Sequence, residues 1–119
     1  LGATGGRIDH LWANVQCLTI PFKAGVHAEI LDSQNRITLI GEGETHLKKT
    51  EAYGPYFSVF PLGEEVFGFN MEGAKYPLEN HVLTPYDSLC VSNEIAGDEV
   101  VITFSAGVVI LMETRDKED

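Results

Sequence analysis

Two stretches hold side chains whose types and spacing could do chemistry. Near the start, Gly5-Gly6-Arg7-Ile8-Asp9-His10 stands ahead of an apolar stripe with helical spacing. Glycines let a backbone approach an anion closely, and the first N–H groups of a helix point outward to receive it. Arg7 can clamp a phosphate through two parallel hydrogen bonds, and Asp9 offers the hard oxygen that Mg²⁺ takes. The plainer alternative is a glycine-rich turn followed by an acid that the helix dipole favours. It is not a Walker A loop, because no Gly-Lys-Ser/Thr follows. The second stretch is Ser92-Asn93-Glu94, directly after Leu89-Cys90-Val91, which reads as a short buried strand. Its three polar side chains are either a strand-end turn capped by Ser or Asn, or one edge of a site for a small polar ligand. In the second case Ser92 and Asn93 make the contacts and Glu94 is a surface acid.

Elements of two periods must position these residues. Ile8, Leu11, Trp12, Val15 and Leu18 recur as one stripe and predict a helix over 8–18, with Trp12 in the core and Pro21 ending the pattern. After Pro21 the period changes. Strands are expected at 26–31, 36–40, 45–49, 56–60 and 66–71, then at 99–104 and 108–112. The pair 26–31 and 36–40 reads as a hairpin, 45–49 as a lysine-bearing edge strand, and 99–104 with 108–112 as a closing hairpin around Ser105-Ala106-Gly107. Between them, residues 73–94 are broken by Gly73, Pro77, Asn80, Pro85 and Asp87, with aromatic and aliphatic residues between the breaks. This is the pattern of a loop pinned on a scaffold, with Tyr76 and Tyr86 as anchors, rather than of a regular element. About eight short strands at regular spacing after one short helix predict a mainly β fold, an antiparallel β-sandwich or barrel.

Composition excludes several functions. The chain has 119 residues, 44% apolar and 22% charged, enough for one domain with a real core. A net charge of −10 without a basic cluster argues against nucleic acid and against an anionic membrane surface. No apolar run reaches membrane-spanning length. Cys17 and Cys90 are far apart and read as buried free thiols of a reducing cytosol. His10, His27, His46 and His81 lack metal-ligand spacing; His27 and His46 read as solvent-facing strand residues and Lys75 as a solvated lysine.

The same two stretches carry a resemblance. Gly73, Lys75-Tyr76-Pro77-Leu78, Asn80 and Leu83 begin it. Leu89, Val91-Ser92-Asn93-Glu94, Gly97, Glu99-Val100, Ile102, Phe104, Gly107 and Val109-Ile110-Leu111 complete it, and together they are similar to the C-terminal domain of thiamine pyrophosphokinases. Gly2-Ala3-Thr4-Gly5-Gly6-Arg7-Ile8-Asp9-His10 with Asn14 resembles the GATGGRxDHxxxN segment of the same family. The resemblance implies a jelly-roll-like sandwich of two antiparallel sheets over 23–114. Residues 1–22 would be the end of an N-terminal α/β catalytic domain, and 115–119 a frayed tail. It implies transfer of pyrophosphate from Mg·ATP to thiamine, with Asp9 and Arg7 catalytic and Asp9 at magnesium. Gly5, Gly6 and Arg7 would lie at the ATP phosphates, and Ser92 and Asn93 at thiamine. It further implies a cytoplasmic homodimer with a site shared between subunits. A start at Leu within a glycine-rich motif suggests a piece of a longer protein, inactive alone, whose helix must dock on the sandwich, pair with a partner or become mobile. The alternative is a non-catalytic β-sandwich binding or assembly module.

Overall fold

A computed structural model describes residues 8–85 and 90–116. Helices α1 (Ile8–Cys17) and α2 (Thr19–Lys23) come first. Nine strands follow: β1 (Glu29–Leu31), β2 (Asn35–Ile40), β3 (Gly43–Lys48), β4 (Tyr56–Pro61), β5 (Val66–Glu72), β6 (Leu78–Leu83), β7 (Asn93–Glu94), β8 (Glu99–Phe104) and β9 (Val109–Thr114). They form two antiparallel sheets, ordered β1-β2-β9-β4-β7 and β3-β8-β5-β6. The expected antiparallel sandwich is what forms, with β3 at a sheet edge and with the first hairpin made by β1 and β2, in which residues 26–28 of the expected first strand take no part.

The four-stranded sheet is apolar on one face only. Along β8, Val100, Ile102 and Phe104 are buried and alternate with half-exposed residues. They meet Phe57, Val59, Phe69, Met71, Val109 and Leu111 in the main core. The five-stranded sheet is apolar on both faces. Val109 and Leu111 point into the sandwich, while Ile110 points out to a second cluster with Ile37, Leu39, Val15 and Leu18. The helices cover that outer face. Burying Val15 and Leu18 there is worth roughly 1.5–3 kcal/mol each, so the helical stripe docks on the sandwich.

Several expectations are corrected. At about 100° per residue, Leu11, Val15 and Leu18 share one narrow line toward the sheet. Trp12 falls a quarter-turn away and is 49% exposed, not core. Cys17 lies off the same line and is exposed, whereas Cys90 is buried. Pro21 does not end the helical run. It sits in the first turn of α2, where its missing N–H would have no intrahelical partner anyway. The stretch 73–94 does contain a regular element, β6. It accommodates its breakers through shifts in register against β5 and through Asn80 at φ +45°, whose N–H donates to Asn70 Oδ1 at 2.8 Å.

Nor do β8 and β9 form a hairpin. They belong to different sheets, so the turn after Phe104 crosses the sandwich and sets the two apolar faces opposite each other. Gly107 (φ +110°) lies so close to Val66 that a Cβ would stand 2.9 Å from its Cγ2. Cys90 is in a turn rather than a strand, and pairing begins only at Asn93. Tyr86, Leu89 and the expected frayed end over 117–119 lie outside the described residues.

Candidate functional site

Register decides what Ser92 and Asn93 can do. Asn93 pairs with Phe57, an inward residue of β4, so its side chain enters the sandwich and is completely buried. Its Oδ1 accepts hydrogen bonds from the N–H groups of Tyr76 (3.0 Å) and Glu94 (2.9 Å). Its Nδ2 donates to the Tyr76 carbonyl at 2.9 Å and stands 4.0 Å from Met71 Sδ. The amide thus binds both backbone groups of Tyr76. Backbone pairing continues alongside: the Lys75 N–H donates to the Glu94 carbonyl at 2.8 Å, and the Ala96 N–H to the Gly73 carbonyl at 2.8 Å. Asn93 is the buried clamp that fastens residues 73–76 beside β7.

Ser92 is the complement. It is exposed, with φ +56°, a left-handed conformation uncommon outside glycine and asparagine. Its N–H donates to the hydroxyl of Ser58 at 2.9 Å. Ser58 is buried and shares its register position with Met112, which packs in the outer cluster. Ser58 was not singled out from the sequence. Its signal is a lone hydroxyl in the middle of the strand Tyr56-Phe57-Ser58-Val59-Phe60, where a buried polar group needs a partner.

Around this pair, Tyr76 is anchored by its backbone and not by its ring, which contributes to a 56% exposed residue. Lys75 is not simply solvated: its Nζ lies 3.3 Å from Glu94 Oε2 and 5.5 Å from the Tyr76 ring centre. The hydrogen bond to Glu94 and that carboxylate's charge hold the ammonium above its usual value. Glu94 also lines a surface cavity with Lys49, Ala52, Gly54, Pro55 and Ile95.

Asp9 and His10 are exposed in the first turn of α1, and Asp9 Oδ1 accepts the His10 N–H at 2.9 Å. Gly5, Gly6 and Arg7 lie outside the described residues. His27, which precedes β1, is open to solvent and 3.5 Å from Glu29. His46 is on β3 between Glu44 and Glu99. Among the described residues, no group of three or more His, Cys, Asp and Glu is placed to hold a metal.

The sandwich carries a recognisable sequence. The family described as "Thiamin pyrophosphokinase, vitamin B1 binding domain" matches residues 44–109, from the start of β3 into β9. This chain belongs to the thiamin pyrophosphokinase family. The curated thiamine pyrophosphokinase of Bacillus subtilis is 34% identical over 115 residues, which are 97% of this chain and 53% of the relative. The crystal structure of the Bacillus subtilis enzyme superposes with a TM-score of 0.91 at 33% identity, covering 98% of this chain and 54% of that one. That of thiamin pyrophosphokinase from Geobacillus thermodenitrificans gives 0.84 at 36% identity, covering 98% and 53%. The chain therefore spans about half the length of these thiamin pyrophosphokinases. Asn93, Ser92 and the segment that Asn93 clamps all lie inside the matched vitamin B1 binding domain.

Proposed function

We propose that this chain is the C-terminal part of a thiamine pyrophosphokinase, with residues 23–114 as its thiamine-binding sandwich and 1–22 as the end of its catalytic domain. The match of the vitamin B1 binding domain to residues 44–109 carries this reading. In the whole enzyme the thiamine hydroxyl oxygen attacks the β-phosphorus of ATP. The bond between that phosphorus and the oxygen on the α-phosphate breaks, AMP leaves with that oxygen, and the hydroxyl proton passes to a base. The products are thiamine diphosphate and AMP. Catalysis of this kind is mainly positioning and charge neutralisation. In this reading magnesium enters with ATP, as Mg·ATP. Gly5, Gly6 and Arg7 are assigned to the ATP phosphates, and Asp9 to the metal or to the attacking hydroxyl. Asp9 is exposed in the first turn of α1. The working unit in this reading is a cytoplasmic homodimer, with a site shared between subunits.

Ser92 is assigned to thiamine through its hydroxyl. It is exposed and held in a costly backbone conformation, a combination typical of functional positions. Asn93 is assigned to the site through the segment it clamps. The two substitutions are therefore expected to separate in the full-length enzyme. Ser92→Ala should raise KM for thiamine roughly tenfold, the loss of one hydrogen bond of about 1–1.5 kcal/mol, with little change in Tm. Asn93→Ala should lower stability by about 2–3 kcal/mol, because it strands buried backbone groups, and should weaken thiamine binding with it. Calorimetric unfolding alongside steady-state kinetics checks both. An unchanged KM in Ser92→Ala removes Ser92 from the site.

Asp9→Asn keeps the shape of the side chain and removes its charge. It should reduce kcat by about a hundredfold or more, the scale of losing a few kcal/mol of charge stabilisation in the transition state. Unfolding should change by no more than about 1 kcal/mol, the scale of an exposed acid in the first turn of a helix. Near-normal turnover removes Asp9 from the mechanism. Titrating thiamine into the full-length protein with Mg²⁺ and an ATP analogue tests the reading as a whole. Absence of binding returns the chain to a sandwich module without this ligand.

A further inference from the structure

We propose that His46 is a pH-operated latch that fastens the edge strand β3 to β8 and lets go as the ring loses its second proton. His46 Nε2 lies 3.2 Å from Glu44 Oε2, and His46 Nδ1 lies 3.3 Å from Glu99 Oε2. A neutral imidazole has one N–H and one lone pair. With a carboxylate oxygen at each nitrogen, the neutral ring must turn a lone pair toward an anion. Only the imidazolium satisfies both contacts.

The position gives that proton a mechanical consequence. Strand β3 ends its sheet and is paired to β8 alone. Glu44 and His46 are both on β3, so the contact that crosses to the neighbouring strand is the one from Nδ1 to Glu99. Glu99 is the register partner of Lys48, so this contact runs diagonally across the pair and supplements the backbone ladder.

The surroundings favour the charged ring. On its own strand His46 faces Glu44 and Lys48, and Lys48 leans 4.0 Å from Glu51. From β8 it faces Glu99, with Asp98 just before it. On β5, Glu72 is paired with Val101, which is itself the partner of His46, so this acid shares the face. The hydrogen bonds to Glu44 and then to Glu99 hold the imidazole above its ordinary value of 6.5, against a smaller effect of burial. A folded value above the unfolded one stabilises the fold fully below about pH 6.5. That stabilisation disappears as pH rises through the raised folded value.

The test is an NMR titration of the histidine ring protons, combined with amide hydrogen exchange of β3 corrected for the intrinsic pH dependence. The His46 midpoint should lie above 6.5 and move down toward it in Glu99→Gln. Protection of the β3 amides should fall on the order of threefold from below the midpoint to above it, the scale of a surface ion pair. In His46→Gln that step should vanish. Should His46→Gln fail to fold, loss of the step in Glu99→Gln serves the same purpose. A midpoint at or below 6.5 overturns the proposal. So does β3 protection that is equal on both sides of the midpoint, or a step that persists in the variants.

Discussion

Replacing Glu113 by alanine is expected to lower the unfolding free energy by about 3–5 kcal/mol, the cost of stranding one member of a buried ion pair. Glu113 is 3% exposed at the end of β9. Arg36 reaches it from the adjacent β2 with two nearly parallel bonds, Nε to Oε2 at 2.6 Å and Nη2 to Oε1 at 2.7 Å. The hydrogen bonds that Arg36 donates to Glu113 hold the guanidinium above its usual value in spite of burial. The pair is also a junction. Arg36 Nη2 donates to the Glu51 carbonyl at 2.9 Å, and the Tyr53 N–H donates to Glu113 at 3.3 Å. Tyr53 donates its hydroxyl proton to the Asp32 carbonyl, and the guanidiniums of Arg36 and Arg115 stand over its ring, 5.7 and 4.7 Å from the centre. Without Glu113 the charge on Arg36 is left half-buried, and three chain segments lose a common anchor. Urea unfolding of Glu113→Ala, Arg36→Met and the double variant measures this. The double variant should recover part of the loss, since the desolvation cost disappears with the second charge. A loss below about 1 kcal/mol in Glu113→Ala would reduce the pair to an ordinary surface contact.

Gly73→Ala is expected to cost about 3 kcal/mol or more and to lower Tm by roughly 10 °C. Two effects add. Gly73 has φ +84°, where a side chain costs about 1–2 kcal/mol. A Cβ there would also stand 2.2 Å from the carbonyl oxygen of Glu99, which is backbone and cannot swing away; such overpacking costs about 1–3 kcal/mol. The consequence reaches the candidate site, because the Gly73 carbonyl accepts the Ala96 N–H and opens the segment that Asn93 clamps. Gly63→Ala is the control. It has φ +79° with nothing within 4 Å of a built Cβ, so it isolates the conformational cost. Calorimetry of the two variants separates the effects. Equal losses would mean that the Glu99 carbonyl yields to the new methyl group.

Much of this protein was legible in one dimension. Runs of strand-forming residues bounded by turn residues are a local property, and they placed the strands at 56–60 and 99–104, of which the second alternates buried and half-exposed residues. Serine and asparagine after an apolar run pointed to Ser92 and Asn93, and the motif around them led to the family that the comparisons bear out. Residues with two apolar faces could not be sorted that way. Along Val109–Thr114 the inward and outward positions are both hydrophobic, so periodicity did not reveal that helices would cover one side. For the same reason the crossing from β8 to β9 read as a hairpin: a turn between apolar strands looks alike within one sheet and between two.

The sequence by itself determined most of the strand positions, though not β6, and it marked the polar pair Ser92-Asn93 where β7 begins and membership in the family. Tertiary structure decided how that pair divides its work. One residue of backbone twist at Ser92 sends Asn93 into the core against Tyr76 and leaves the Ser92 hydroxyl outside. Which way is inward for Asn93 depends on Phe57, 36 positions earlier in the chain and paired with Asn93 only once the sheet has formed.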